Sequence, residues 1–251
     1  MDFDVTIQQL EQQAKALVAK ACGVEVGQRK CEDCGLVYKW EETPSCSCAA
    51  DRAKREEVAT RKHLLQGAYD SIPKALRWAR EGSDEFGQAR IHPGCQRLIK
   101  WHRGLGNGLV CGPTGVGKTV SAVALIHKIL DRACQGTKKS DFDFACRVRF
   151  VDASNLARAR RESRLGEEPE ILTEAGDASL LVIDEMGFEP WHSERDRALF
   201  DVLNERYSQG GHTIVTTGRT EAEFRARYGA AMVRRIVDGD RGFVLDLFGG
   251  R

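Results

Sequence analysis

Gly108-Leu-Val-Cys-Gly-Pro-Thr-Gly-Val-Gly-Lys-Thr-Val-Ser-Ala-Val-Ala-Leu-Ile-His-Lys-Ile-Leu130 decides how the rest of the chain is read. A short apolar run meets a glycine-rich turn, and a long apolar run with helical character follows. Gly112, Pro113, Thr114, Gly115, Val116, Gly117, Lys118 and Thr119 match G-x-x-x-x-G-K-[ST] in full. The glycines let backbone N–H groups close around phosphate oxygens. The positive end of the following helix faces the same oxygens. Lys118 brings a charge to the β- and γ-phosphates, and the Thr119 hydroxyl can ligate Mg²⁺. A chance glycine-rich turn would need neither the strand before it nor the helix after it.

Working outward, Ser179-Leu-Leu-Val-Ile-Asp-Glu-Met-Gly187 carries four apolar residues that end in Asp184 and Glu185. An acid at the carboxyl end of a parallel strand beside a phosphate loop can hold the Mg²⁺ shell, which suits Asp184. Glu185 is then placed to polarise a water for in-line attack on the γ-phosphate. Asp184 to Gly187 also satisfies D-x-x-G, a GTPase signature, but no guanine-reading N-K-x-D or T-K-x-D follows. ATP is therefore the expected nucleotide. Strands are expected at Leu109–Cys111, Val148–Val151, Leu180–Asp184, Thr213–Thr217 and Phe243–Leu247. Helices are expected at Thr119–Leu130, about Ser154–Arg164, and Arg195–Ser208. This alternation predicts an α/β fold with a five-stranded parallel sheet and helices on both faces. The strand at Val148–Val151, between the two motifs, fits ATPases whose sheet has an extra strand beside the phosphate-loop strand.

The composition agrees with a globular protein. Among 251 residues, 38 Lys and Arg face 37 Asp and Glu, for a net charge of +1. That balance excludes a strongly basic nucleic-acid coat while leaving room for a local basic patch. No apolar run approaches the ~20 residues that span a bilayer, and the opening residues lack a signal-peptide core. A cytoplasmic protein without membrane contact is expected. An amphipathic helix is expected up to about Cys22, with Thr6 and Gln9 as a capping box. Residues 67–105, with Pro73, Pro93 and several glycines, give no clear pattern.

Four of nine cysteines crowd together as Cys31-x2-Cys34 and Cys46-x-Cys48, around a loop at Gly35–Ser45. In a reducing compartment such a cluster points to metal, and a tetrahedral four-thiolate site needs two close thiol pairs. Zn²⁺ in a structural role is the expected occupant; an iron–sulfur cluster or four free thiols are the alternatives. So short a segment has too little apolar mass to fold without metal. Tyr38, Lys39 and Trp40 on the loop could stack on a base or contact a protein, and a protein partner is favoured. Cys95, Cys111, Cys134 and Cys146 read as buried small apolar residues, and Cys22 as packed on its helix. Residues 1–66 are expected to form this helical and zinc-binding module, and 67–251 the ATPase domain.

From about residue 105 to 248 the chain resembles AAA+ ATPases of the DnaC/IstB type. Beyond the phosphate loop and acidic pair, the resemblance rests on Leu199-Phe200, Leu203-Asn204 and Arg206-Tyr207. It continues through Thr213–Thr217 and Met232-Val-Arg-Arg-Ile236. It implies a γ-phosphate sensor after Thr217, a position that here is Gly218, so Thr217 or Thr216 would serve instead. It implies an arginine finger at Arg235, or alternatively Arg234, reaching a neighbouring copy's ATP site and making self-association part of the activity. Only Ile236–Arg251 follow, so little or no helical lid is expected. The family includes replicative helicase loaders, whose N-terminal region grips the helicase.

Arg147, Arg149, Arg158, Arg160, Arg161 and Arg164 fall within eighteen residues, opposed there by Asp152 and Glu162. In related loaders this sheet edge lines a single-strand path. Arg158, Arg160, Arg161 and Arg164 are the expected contacts to single-stranded DNA, against a solvated helix face. The leading expectation is an ATP-driven loader of a replicative helicase. An IstB-like transposition helper, and a zinc-dependent DNA-binding adaptor with a nucleotide switch, are the alternatives.

Overall fold

In a computed structural model of the chain, the described residues are 12–17, 20–21, 23–25, 28–39, 46–136, 138–163, 167–188, 193–237 and 242–249. They fall into two compact units, residues 1–61 and 62–251.

In the first unit, residues 12–17 and 20–21 are helical as expected, with Ala14, Leu17 and Ala21 exposed; Thr6, Gln9 and Cys22 lie outside the described residues. Strands β1 (Gln28–Lys30) and β2 (Val37–Lys39) pair antiparallel, with Arg29 opposite Tyr38. Tyr38 and Lys39 therefore lie on a strand rather than a loop, and Trp40 lies outside the described residues. Gly35 closes the turn at φ 76°, where a side chain would be strained, and donates its N–H to Cys31 O at 2.9 Å. Helix α1 (Cys48–Leu64) begins at the fourth cysteine of the cluster.

The second unit starts with short elements across the stretch that had no readable pattern: α2 (Gln66–Asp70), α3 (Asp84–Gln88), α4 (Cys95–Ile99) and two 3-10 turns. Next come β3 (Gly108–Cys111), α5 (Lys118–Gln135), α6 (Lys139–Cys146), β4 (Val148–Asp152) and α7 (Ala153–Glu162). The unit continues with α8 (Glu170–Asp177), β5 (Leu180–Asp184), α9 (Ser193–Gln209), β6 (His212–Thr217), α10 (Glu221–Val237) and β7 (Phe243–Asp246). The helical hydrogen-bond pattern of α10 is crossed by a break at Gly229, φ 79°.

The five strands form one parallel sheet in the order β4-β5-β6-β3-β7. The extra strand beside the phosphate-loop strand is β6, inserted between β3 and β5, and β4 lies at the edge. All residues of β3 and β5 are buried, as a sheet covered on both faces requires. Leu109, Leu181, Ile183 and Val215 pack with Leu156, Leu172, Leu199, Leu203, Phe224 and Ile236 from four helices. The alternate residues Val110, Val182 and Ile214 are equally buried, and by the period-2 rule face the opposite side. Gly108 permits a close approach: a Cβ there would collide with the Phe243 ring. Cys95, Cys111 and Cys134 are buried as expected, whereas Cys146 at the end of α6 is only half-buried.

One further device holds the sheet together. Arg206 of α9, read above as a family marker, is 1% exposed. Its Nε donates to Thr213 Oγ1 at 2.9 Å, and Nη1 donates to the carbonyls of Ala175 (2.8 Å), Gly176 (3.0 Å) and Ala178 (2.6 Å). Nη2 donates to His212 O. One guanidinium thus satisfies the buried carbonyls at the end of α8, which have no helical partner, and joins them to the start of β6. Burial lowers its pKa to about 10, which leaves it charged at neutral pH.

Candidate functional site

The carboxyl ends of β3, β5 and β6 converge where ligands bind in open α/β sheets. The loop Gly112–Thr119 leaves β3 and turns into α5. Gly115 (φ 84°) and Gly117 (φ 93°) take the left-handed backbone that this turn needs. Gly117 has a second reason to be glycine, since a Cβ would meet Ile91 Cα at 3.2 Å. Lys118 is 8% exposed, and its Nζ donates to the carbonyls of Gly112 (2.6 Å) and Pro113 (2.9 Å). Burial pushes its pKa down, opposed first by Asp184. Val116 O accepts the His92 N–H at 2.9 Å, pinning the loop's outer side to the segment before α4.

Thr119 and Asp184 meet across the sheet end. Thr119 Oγ1 donates to Asp184 Oδ1 at 3.0 Å, and Thr216 Oγ1 donates to the same oxygen. Thr216 Oγ1 in turn accepts the Glu185 N–H at 3.1 Å. Burial raises the Asp184 pKa, while the two hydroxyls oppose that rise. A cation supplied between Thr119 and Asp184 would compensate the buried carboxylate, and a hydroxyl beside a carboxylate is an oxygen set suited to Mg²⁺. Glu185 sits at φ 55°, the one described non-glycine residue with a positive φ, so the turn after β5 is strained where the candidate base lies.

A cavity of about 310 Å³ gathers these parts. Its walls are Thr114, Gly115, Gly117, Lys118, Thr119 and Val120 from the loop and α5; Glu185, Phe188 and Gly218 from the strand ends; and Ala89, Arg90 and Ile91. The last three come from the stretch that had no readable pattern, and no motif marks them. Thr217 does not line this cavity: its Oγ1 accepts the Arg219 N–H at 3.2 Å, and its carbonyl accepts the Gly112 N–H. Of the two threonines considered as sensors, Thr216 is the one joined to Asp184. A second hollow of about 250 Å³ along β4, near Ser71 and Ile171, holds none of the expected nucleotide residues.

Arg235, on α10, is not among the residues that line the cavity. Its Nε donates to Asn204 Oδ1 at 2.8 Å, and its guanidinium stacks 4.8 Å above Phe200. Arg234 is exposed beside it. The basic stretch is less open than its composition suggested. Arg160 pairs with Glu168 at 2.5 Å, Arg161 with Glu162 at 3.5 Å, and Arg149 with Glu174 at 3.4 Å. Arg158 Nη2 donates to Asn155 Oδ1 at 2.9 Å. The count of opposing acids had stopped short of Glu168 and Glu174, which the fold brings back. Arg164 lies outside the described residues.

In the first unit, the Sγ atoms of Cys31, Cys34, Cys46 and Cys48 all lie within 4.8 Å of one another. Tetrahedral Zn²⁺ with ~2.3 Å bonds needs sulfurs ~3.8 Å apart, so the cluster fits after a small contraction. The backbone N–H groups of Cys34 and Asp33 lower the Cys31 thiol to about 7. Hydrogen bonding with Cys34 and burial raise the Cys48 thiol to about 12. Arg52 of α1 clamps the turn by pairing with Asp33 (2.7 Å) and Glu32 (3.0 Å). Among the described residues no helix is long and apolar enough to cross a membrane.

Comparison with known proteins agrees with this geometry. The family described as IstB-like ATP binding protein matches residues 96–239. An insertion-sequence ATP-binding protein of Sinorhizobium fredii is 33% identical over 111 residues, 44% of this chain and 40% of that relative. The IS21 ATP-binding protein of Pseudomonas aeruginosa is 30% identical over 127 residues, 49% of this chain and 42% of its own length. The chain thus spans less than half the length of these two relatives. Among solved structures, domain III of the Thermotoga maritima replication initiation protein DnaA is similar. Its TM-score is 0.50 at 19% identity, covering 64% of this chain and 65% of that one. The DnaC helicase loader gives a TM-score of 0.46 at 20% identity, covering 65% of this chain and 99% of that one.

Proposed function

The chain belongs to the family of IstB-like ATP-binding proteins, and on that premise we propose that it hydrolyses ATP to load a hexameric replicative helicase onto single-stranded DNA. One observation carries the ATPase part: Thr119, Asp184 and Thr216 form a hydrogen-bonded chain beside the cavity that Lys118 and Glu185 line. In this reading Lys118 leaves the carbonyls of Gly112 and Pro113 for the β- and γ-phosphates, and the loop's N–H groups turn to the same oxygens. Thr119 and Asp184 would hold Mg²⁺, which would supply positive charge to the phosphates. Glu185 takes a proton from the attacking water. Arg235 acts in trans: its contact with Asn204 and Phe200 holds it off its own cavity, where a neighbouring copy can receive it.

The N-terminal module, residues 1–66 with Zn²⁺ on Cys31, Cys34, Cys46 and Cys48, docks on the partner; the ATPase domain is 67–251. The location is cytoplasmic. Single-strand binding through Arg158, Arg160, Arg161 and Arg164 keeps weaker support, because acids pair with two of the four; exposed pairs of this kind are worth only ~0–1 kcal/mol and can exchange for phosphates. A second reading, a transposition helper, is favoured by the relatives, which are insertion-sequence ATP-binding proteins.

The test mixes the full chain with a hexameric helicase, or with a transposase, with and without ATP and Mg²⁺. An ATP-dependent complex with the helicase, trapped by Glu185→Gln, is expected. A complex formed with the transposase alone selects the second reading. Negligible turnover by the unmodified protein, with DNA binding intact, would leave a nucleotide-switched adaptor.

A further inference from the structure

Gly218 stands where the resemblance has a polar γ-phosphate sensor, and its neighbour explains the missing side chain. A Cβ at Gly218 would collide with Cζ of Phe188. Phe188 lines the nucleotide cavity and stays 56% exposed although it is large and apolar. The guanidinium of Arg219 lies 5.6 Å from the centre of that ring. Arg219 Nε donates to Gly187 O at 2.8 Å, and its backbone N–H donates to Thr217 Oγ1. Gly187 is shaped to this contact: its φ is 113°, and a Cβ there would meet Arg219 Cδ and Nε at 3.1 Å. Arg219 therefore bridges the end of β6 and the turn after β5, the two segments that bear Gly218 and Glu185. Arg219 does not itself line the cavity but lies against Phe188, which does, and among the described residues no hydrogen bond or ion pair engages its two Nη groups, a planar fork of four N–H donors.

We propose that Arg219 distinguishes ATP from ADP in this chain, its fork binding γ-phosphate oxygens in place of the polar group absent at position 218. A guanidinium tethered through Nε is already oriented, so less freedom is lost when its Nη groups meet an oxyanion. Gly187 lies two residues after Glu185, so a phosphate engaged by Arg219 also settles the turn that carries the candidate base. Lysine would supply charge without the tether, and glutamine a tether without the charge.

This inference rests on the cavity being an ATP site, and the experiment separates the two. Calorimetric titration of the full chain uses ADP and a non-hydrolysable ATP analogue, each with Mg²⁺. It compares the unmodified protein with Arg219→Ala, Arg219→Gln and Arg219→Lys. The expected result for Ala and Gln is a loss of about tenfold or more in analogue affinity, the scale of one charge-assisted hydrogen bond, with ADP affinity within about twofold of the original. Lys should fall between. If Arg219→Ala fails to fold, Arg219→Gln, which keeps a donor for Gly187 O, carries the test. Equal losses for both nucleotides, or no loss for either, would reduce Arg219 to a brace for the turn and overturn the proposal. A folded, unmodified protein that binds neither nucleotide would instead remove the ATP reading, before any substitution is made.

Discussion

The two ends of β6 each hold a buried polar cluster, and the two are built on opposite terms. At the start of the strand, Arg206 is closed: its Nε and both Nη groups bond to Thr213 and to four backbone carbonyls. At the far end, Asp184 is open: among the described residues its buried carboxylate accepts from the Thr119 and Thr216 hydroxyls, and Lys118 bonds its own loop instead. A buried charge that is fully hydrogen-bonded holds structure together. A buried charge left short of compensation stores a cost that a ligand can relieve. The strand thus runs from a finished joint to an unfinished one.

Breaking the closed end should have the largest effect. Arg206→Ala strands several buried acceptors at the end of α8 and the start of β6, so a loss of about 3 kcal/mol or more in unfolding free energy is expected. Urea denaturation would read it, and a change under ~1 kcal/mol would mean the carbonyls find water instead. Arg206→Lys should recover little, because one ammonium cannot reach acceptors spread from Ala175 to His212.

At the open end the same kind of deletion should spare the fold and remove the ligand. Lys118→Ala frees the carbonyl of Pro113, an exposed residue, and that of Gly112, which is buried, so stability should fall by about 1 kcal/mol, well short of the Arg206→Ala loss. Nucleotide affinity should fall by about 100-fold, with the lost charge at the phosphates. Calorimetry checks the second number and thermal melting the first. A Lys118→Ala protein that melts like an Arg206→Ala protein would abolish the contrast between the two ends.

The open end was far more legible in the sequence than the closed one. Gly112–Thr119 and Asp184–Glu185 are local patterns, and the strand and helix around them are carried by short-range hydropathy. The five strands were readable for the same reason, each to within a residue or so. Arg206 stood out only as part of a pattern, because its acceptors at Ala175, Gly176 and Ala178 sit about thirty residues away and are backbone atoms that no residue type announces. Arg90 and Ile91 were invisible because they reach the cavity from an irregular stretch. The arginines around α7 read as outnumbering their acids because Glu168 lies beyond the helix and is returned by the chain's turn. Local chemistry is written in residue order; satisfaction of buried groups is written in the fold.

Acid should act on the two ends in opposite directions, and this is the smallest effect expected. His212, between the rings of Trp101 and Phe144, has its pKa lowered first by burial, then by Arg206 and Arg103. The stability it contributes is present above the usual histidine value and is lost as pH falls through the lower folded one. Asp184 has its pKa raised by burial. Its contribution is full below the usual carboxylate value and is lost as pH rises through the higher folded one. At pH 7.5, then, His212→Phe should leave nucleotide-free stability nearly unchanged, and Asp184→Asn should raise it by about 1 kcal/mol, as substitutions that relieve a functional site commonly do. The gain from Asp184→Asn should shrink as pH falls toward about 4. Below about pH 6.5, His212→Phe should flatten the acid loss instead. Adding nucleotide with Mg²⁺ should reverse the order for Asp184 alone, stabilising the unmodified protein more than the Asn variant. If Asp184→Asn proved destabilising without nucleotide at pH 7.5, the carboxylate would be as well satisfied as Arg206, and both ends of β6 would be closed.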